Sequence, residues 1–316
     1  MSAARTPTQA ARAVGRSRDL DLRDRLDRVR GVMFDVDGCL LLADQPSGLG
    51  GVALPGAARA IETARATGRR VCFFTNGSMQ APSAIAATLR GLGVEACDDE
   101  VLTPAVVAAE TLGARYPDRP LLVFGDGVRS VFRERGVPLV SFDDAEAWRA
   151  GEVAAVVVGW DTAFGRSKIQ AAAEAILGGA DLYTTSDAPS FASHERLNVG
   201  VSGFIAAGLA HVTSQPYTVL GKPSAEAFAA VTAKLGASGH ETLVVGDDLD
   251  METSMARRGG ALAALVTTGT HTADDAAAAS GARVPDLVLD SLEELADLLA
   301  GAVACGPGKT NGKDDR

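Results

Sequence analysis

The chain of 316 residues is 47% hydrophobic and 22% charged, the balance of a folded protein rather than a disordered one, and long enough for two domains. Its formal net charge of −10 excludes a basic face broad enough to neutralise a nucleic-acid backbone. No apolar run approaches the ~18–20 residues that span a bilayer. Cys39, Cys72, Cys97 and Cys305 stand far apart, with no C-x-x-C pair and no neighbouring His; that spacing argues against a zinc site or disulfide framework and for a reduced, cytoplasmic setting.

The first eighteen residues carry Arg5, Arg12, Arg16 and Arg18 and no acid. Organellar transit peptides and unstructured leads share that pattern, and 1–29 is read as a flexible extension. Short apolar strands then alternate with Ala-rich helical stretches. Val32–Val36 reads as a strand that ends in acids, and Pro55 opens a helix to about Thr67, stopped by Gly68. Val71–Thr75 is the next strand, and Pro82 starts a helix ending near Gly91. Between Thr103 and Tyr217 the alternation forms a unit of its own: Leu121–Phe124, a helix from Gly127, Val153–Val158, a helix through Ile176, and Leu182–Thr185. A helix over Pro223–Leu235, a strand over Thr242–Gly246, a helix over Asp250–Arg258 and a strand over Ala261–Val266 follow. Asp286–Leu289 and Leu292–Leu299 close the pattern. Strand–helix alternation of this kind predicts an α/β fold, a Rossmann-like parallel sheet covered on both faces. The motifs described next lie on both sides of the middle unit. That layout predicts a discontinuous core, 30–103 and 218–300, with an inserted α/β cap domain at 104–217 and a flexible tail at 301–316.

Four strand ends carry chemistry. In Val32-Met33-Phe34-Asp35-Val36-Asp37-Gly38 an apolar strand delivers two carboxylates to the edge where open parallel sheets bind ligands. Two acids this close repel, so a cation or shared proton accompanies them, unless they are ordinary turn acids. Val71-Cys72-Phe73-Phe74-Thr75-Asn76-Gly77-Ser78 ends in a hydroxyl, an amide and free N–H groups suited to a phosphate, or to a plain Ser/Asn turn. Leu220-Gly221-Lys222-Pro223-Ser224 fails as a nucleotide P-loop, because Pro216 and Pro223 occupy its Gly and Ser/Thr places. It reads instead as a lysine fixed as a point charge for a phosphoryl oxygen. In Leu243-Val244-Val245-Gly246-Asp247-Asp248-Leu249-Asp250-Met251-Glu252 a buried strand runs into acids of the kind Mg²⁺ prefers. Asp247 at the strand edge is the metal-ligand candidate, while Asp250 and Glu252 read as caps and dipole partners of the following helix.

Together and in this order, the four motifs resemble those of the haloacid dehalogenase superfamily: D-x-D-G, a Ser/Thr strand end, a Lys and a late acidic G-D cluster. The match is to the type IIA branch, the NagD-like and 4-nitrophenylphosphatase-like phosphatases, and runs from about Gly31 to Leu299. The resemblance implies a Mg²⁺-dependent phosphatase acting on a small phosphorylated metabolite. Asp35 would be the nucleophile and Asp37 the general acid/base. Thr75, Asn76 and Lys222 would hold the phosphoryl group, and the Asp35 carboxylate, the Asp37 backbone carbonyl and Asp247 the metal. Asp187 matches an acid in the cap's specificity loop, beside further polar candidates Arg166, Lys168, His194 and Arg196. The branch often forms homo-oligomers through the cap. Three positions depart from its pattern: Cys39, read as a packing residue; Gly77 in place of Asn; and Glu252 in place of a shorter Asp. A phosphotransferase or mutase on the same fold, or a non-catalytic phospho-ligand-binding module, would use the same core residues. A dinucleotide site would rest on Gly125-Asp126-Gly127 alone, without the third glycine of that fingerprint.

Overall fold

The structure, a computed structural model, describes residues 21–42, 51–144, 146, 148, 151–191 and 198–301. Fifteen strands are named here in chain order. They are β1 (Gly31–Asp35), the antiparallel pair β2 (Leu41–Leu42) and β3 (Val52–Ala53), β4 (Arg70–Phe74) and β5 (Val101–Leu102). Next come β6 (Leu121–Phe124), β7 (Leu139–Val140), β8 (Ala155–Val158) and β9 (Asp181–Thr184). The second antiparallel pair, β10 (Ser190–Phe191) and β11 (Asn198–Val199), precedes β12 (Tyr217–Val219). The chain ends with β13 (Thr242–Gly246), β14 (Leu262–Val266) and β15 (Leu287–Leu289).

Two parallel sheets organise the molecule. One has six strands in the order β15-β14-β13-β1-β4-β5, and the other five in the order β12-β9-β8-β6-β7. The first draws its strands from both ends of the chain and the second only from the middle, which is the α/β core with an inserted cap. β1 sits in the centre of the first sheet, in parallel register with β13 (Phe34 opposite Val245) and β4 (Asp35 opposite Phe74). Because strand side chains alternate faces, Val32 and Phe34 pack with Ile61, Leu292 and Leu295, while Met33 packs on the opposite face with Val231 and Leu235. With both faces covered, the strands are continuous apolar runs. Helix Pro104–Arg115 joins core to cap: its Ala105, Val106 and Leu112 share one buried cluster with Met33 of β1 and Leu121 and Val123 of β6.

Three expectations shift. Residues 21–29 are not a flexible extension: helical turns over 21–27 put Leu26 and Val29 into the core, and Arg25 pairs with Asp286 at 2.7 Å. Leu22, Leu26 and Val29 are spaced as one helical stripe, which explains the docking. The cap sheet runs past the expected edge at 217, since Tyr217–Val219 pairs with β9. The helix expected over Asp250–Arg258 begins as a wide π-type turn, Leu249–Thr253, before regular helix over Ser254–Arg258. Residues 1–20, the tail beyond Gly301, Cys305, His194 and Arg196 lie outside the described residues. Among the described residues no helix is long and apolar enough to cross a membrane.

Candidate active site

Parallel register brings the motifs together. Asp35 ends β1, Thr75 follows β4 and Asp247 follows β13; these three strands are adjacent, so all three side chains arrive at the carboxyl edge of one sheet. The loop between β12 and helix Ala225–Leu235, whose N-cap is Ser224, carries Lys222 to the same place. Asp35, Thr75, Lys222 and Asp247 are all buried. Asp37, two residues beyond the strand, accepts a hydrogen bond from the Thr75 hydroxyl at 2.7 Å.

Lys222 is the hub. Its ammonium donates to a carboxylate oxygen of Asp35, to Oε1 of Glu252 at 2.6 Å and to the Phe74 carbonyl at 2.8 Å, so each of its three protons has a partner. Asn76 fixes the lysine's backbone in a reciprocal pair: its Nδ2 donates to the Lys222 carbonyl at 3.2 Å and its Oδ1 accepts from the Lys222 N–H at 3.0 Å. The Asn76 side chain is thereby spent on bracing Lys222 rather than free for a phosphate. Glu252 was read from sequence as a helix-start acid; it is instead buried on Lys222, and its other oxygen accepts the Asp248 N–H at 3.2 Å. The π-type turn is what swings it inward, and such turns concentrate at functional sites. The only sequence signal for this role was its place at the end of the acidic cluster.

Burial and crowding set the charges. Burial raises the Asp35 carboxyl to about 7, with Lys222 opposing and Asp247 and Asp37 adding to the rise. Asp247 reaches about 7 through burial and the nearby Glu252, and Glu252 reaches about 7 through burial against the pull of Lys222. Asp37 is raised by burial, with the Thr75 hydrogen bond opposing. Burial alone would lower the lysine, yet Asp35 and Glu252 beside it hold it well above its ordinary value. Four carboxyl groups around one ammonium are an oxygen-rich, electron-rich donor set, which is what a hard divalent cation takes. The backbone leaves the room: Gly38, at φ +90°, and Gly269 both lie where a Cβ would collide with the Asp247 carboxylate, whose Oδ2 accepts the Thr270 N–H at 2.6 Å. Asp35, Asp37 and Asp247 therefore fit such an ion.

A cleft opens above these residues, with a cavity volume of about 110 Å³. Its outer wall comes from the core loop Gly77–Met79, from Met251, and from cap residues Trp160, Ser186 and Ser202. Asp187 is exposed, and its neighbours Ser186 and Ala188 line the cleft instead. Arg166 is also exposed, and Lys168 is committed to Asp161 at 2.7 Å; neither lines the cleft. Gly125 and Gly127 serve packing rather than a dinucleotide: a Cβ on Gly127 would lie 2.5 Å from the Met79 carbonyl and 2.6 Å from that of Ser78, and one on Gly125 2.9 Å from that of Trp160.

Comparison with known proteins identifies the family. Residues 32–138 match the haloacid dehalogenase-like hydrolase family, and residues 219–295 match a second hydrolase group of the same kind. Human chronophin is 31% identical over 295 residues, covering 90% of this chain and 97% of its own. The chain belongs to the haloacid dehalogenase-like hydrolases. Within that family it is a type IIA phosphatase, as the expected layout implied. The 4-nitrophenylphosphatase of Thermotoga maritima superposes with a TM-score of 0.75 at 26% identity, covering 86% of this chain and 98% of that one. A glycerol phosphate phosphatase of Mycobacterium tuberculosis, in complex with calcium, superposes with a TM-score of 0.73 at 27% identity, over 86% of this chain and 76% of that one.

Proposed function

We propose that this haloacid dehalogenase-like phosphatase hydrolyses small phosphate monoesters with Mg²⁺, through an aspartyl phosphate on Asp35. What supports the reading most is the convergence of Asp35, Asp37, Thr75, Lys222 and Asp247 on one place from four separate stretches of chain. In the first step a carboxylate oxygen of Asp35 attacks phosphorus in line, the ester P–O bond breaks, and Asp37 gives its proton to the departing oxygen. In the second, Asp37 takes a proton from water as that water attacks phosphorus, the Asp35–phosphorus bond breaks, and phosphate leaves. The Asp37 carboxyl, raised by burial above its ordinary pKa, and its hydrogen bond to Thr75 suit a group that must both hold and release a proton. Lys222 orients Asp35 and favours its anionic form, and Glu252 in turn keeps Lys222 in place.

Held by Asp35, Asp37 and Asp247, Mg²⁺ would offset the repulsion between an anionic nucleophile and an anionic ester. The substrate would be a small phosphorylated metabolite, the cap would be the stretch 104–217 extended to Val219, and cytoplasmic residence remains part of the reading. The test is phosphate release from a panel of small phosphomonoesters, with Mg²⁺ or with EDTA, without an added acceptor, beside Asp35→Asn. Release should depend on Mg²⁺ and fall at least ~10³-fold in the variant with its circular dichroism unchanged. A variant within about tenfold of the parent would remove Asp35 from the nucleophile's role, and release only with an acceptor would make the enzyme a phosphotransferase.

A further inference from the structure

The loop after β14 runs from Thr267 to Thr272 and meets two of the catalytic stretches at once. Both of its ends are anchored. The Thr267 N–H donates to the Leu289 carbonyl at 3.0 Å, and Thr272 caps helix Ala273–Ala278 in a reciprocal pair with Asp275. Between those anchors the Thr268 hydroxyl donates to the Gly38 carbonyl at 2.7 Å, and the Thr270 N–H to Asp247 Oδ2 at 2.6 Å. The His271 N–H donates to the Asp247 carbonyl at 3.1 Å, and the His271 ring accepts the Leu249 N–H on Nδ1 at 3.3 Å. To accept it Nδ1 carries no proton, which puts the proton of the neutral ring on Nε2, 3.8 Å from Asp250.

These bonds hold the groups that would take the cation. Gly38, just past Asp37, sits at φ +90°, and a glycine does little to restrict its own backbone. Its N–H, which shares a peptide plane with the Asp37 carbonyl, donates to the Leu41 carbonyl at 2.8 Å. Its own carbonyl takes the Thr268 hydroxyl. Both peptide groups about Gly38 are therefore fixed, and with them the direction of the Asp37 carbonyl. Asp247 is held through Oδ2 by Thr270 and through its carbonyl by His271, which leaves Oδ1 to a cation. Gly269 lets the loop come this close, since a Cβ there would lie 2.0 Å from Asp247 Oδ2. Groups that orient a metal's ligands from behind alter its affinity about as strongly as weakening a ligand does, by roughly 10–100-fold.

We propose that Thr268 and His271 are positioning residues for the divalent cation: their loop ties the stretch after β1 to the stretch after β13, and so sets how tightly Asp35, Asp37 and Asp247 take Mg²⁺. Neither side chain lines the cleft, so a change in either reaches the ion only through Asp37 and Asp247. This inference rests on the metal site proposed above and concerns what holds that site together.

Two pairs of variants test it. Thr268→Val removes the hydroxyl at nearly equal size and Thr268→Ser keeps it; His271→Leu removes the ring acceptor and His271→Asn puts an oxygen in place of Nδ1. Urea midpoints in EDTA and over a series of Mg²⁺ concentrations read ion affinity without turnover, because an ion bound only by the folded chain stabilises it in proportion to its occupancy. Thr268→Val and His271→Leu should each need ~10–100-fold more Mg²⁺ for the same rise in midpoint, while Thr268→Ser and His271→Asn stay within ~3-fold of the parent. The Mg²⁺ dependence of phosphate release should shift in step, so that high Mg²⁺ recovers most of the lost rate. A Thr268→Val protein with a lower midpoint in EDTA but the parent's response to Mg²⁺ would overturn the inference and make the loop a prop of the fold alone. Thr268→Ser as weak as Thr268→Val, or a loss confined to His271→Leu, would overturn it too. A parent whose midpoint ignores Mg²⁺ would remove the metal site itself, and this inference with it.

Discussion

In the floor of the cleft Asp35 ends a strand and Thr75 and Asp247 each directly follow one, while Asp37 and Lys222 stand two and three residues beyond theirs. Asp35, Thr75 and Asp247 cannot move relative to one another unless the six-stranded sheet changes register. In the roof the lining residues sit on loops beyond the strands of the other sheet: Trp160 after β8, Ser186 and Ala188 after β9. Among the described residues those loops meet the core through the Trp160 backbone N–H on the Ser78 hydroxyl and through close glycine approaches rather than through a shared ladder. The floor holds charges whose burial is tolerable only as a set, whereas the described lining residues of the roof carry no charge. Chemistry rests on the rigid element and choice of substrate on the replaceable one, a division seen wherever function is carried by loops on a scaffold.

The largest expected effect comes from breaking the floor's charge set. Lys222→Met leaves Asp35 and Glu252 buried without their shared ammonium, and should cost ~3–5 kcal/mol of unfolding free energy in urea titrations as well as abolish turnover. Adding Glu252→Gln to that variant should recover part of the loss. Simple additivity of the two substitutions would mean that they do not share one network.

Metal removal sharpens the same contrast at smaller cost. The carboxyls of Asp35, Asp247 and Glu252 stand near 7 when folded, against their ordinary values near 4, so between those limits the folded protein holds more protons than the unfolded chain. Stability in EDTA should therefore be full below that window and fall as pH rises through 7. Mg²⁺ should restore more at pH 8 than at pH 5.5. Urea midpoints that stay flat or rise with pH in EDTA would contradict this.

The smallest expected effect lies at the seam between the two regions. Gly127→Val places a branched side chain against the Ser78 and Met79 carbonyls and should lift the cap slightly off the core. Steady-state kinetics should show KM raised several-fold, on the order of 1 kcal/mol, with kcat changed less than twofold. A collapse of kcat with KM unchanged would place the seam's influence on the floor instead.

The same division explains how much could be read from sequence. Asp35, Asp37, Thr75, Lys222 and Asp247 were visible because each stands just past an apolar run, where a strand must end and a ligand edge must lie. β6 and β13, and helix Pro82–Gly91, have the limits expected because Pro and apolar runs mark them directly. Glu252 was not legible as a partner of Lys222, because a local pattern of acids at a helix start looks the same whether the side chain faces water or folds inward through a wide turn. The bracing role of Asn76 joins positions 146 residues apart, which no local signal records. Trp160 was invisible for a related reason: a lone aromatic after a buried strand gains its meaning only from the loop it meets, and that loop belongs to the other sheet.

The central place of β1 has a consequence for how the protein is made. One of its neighbours, β4, follows soon after it in the chain, but the other, β13, lies beyond the entire insert. On the ribosome β1 must therefore wait with one flank unpaired until the last third of the chain emerges, while the five strands of the insert, contiguous in sequence, can close upon themselves first. The domain that chooses the substrate is thus complete before the domain that consumes it exists. Asp35 gains Asp247 as a neighbour only when synthesis is nearly over, so a nascent or truncated chain carries no assembled phosphatase.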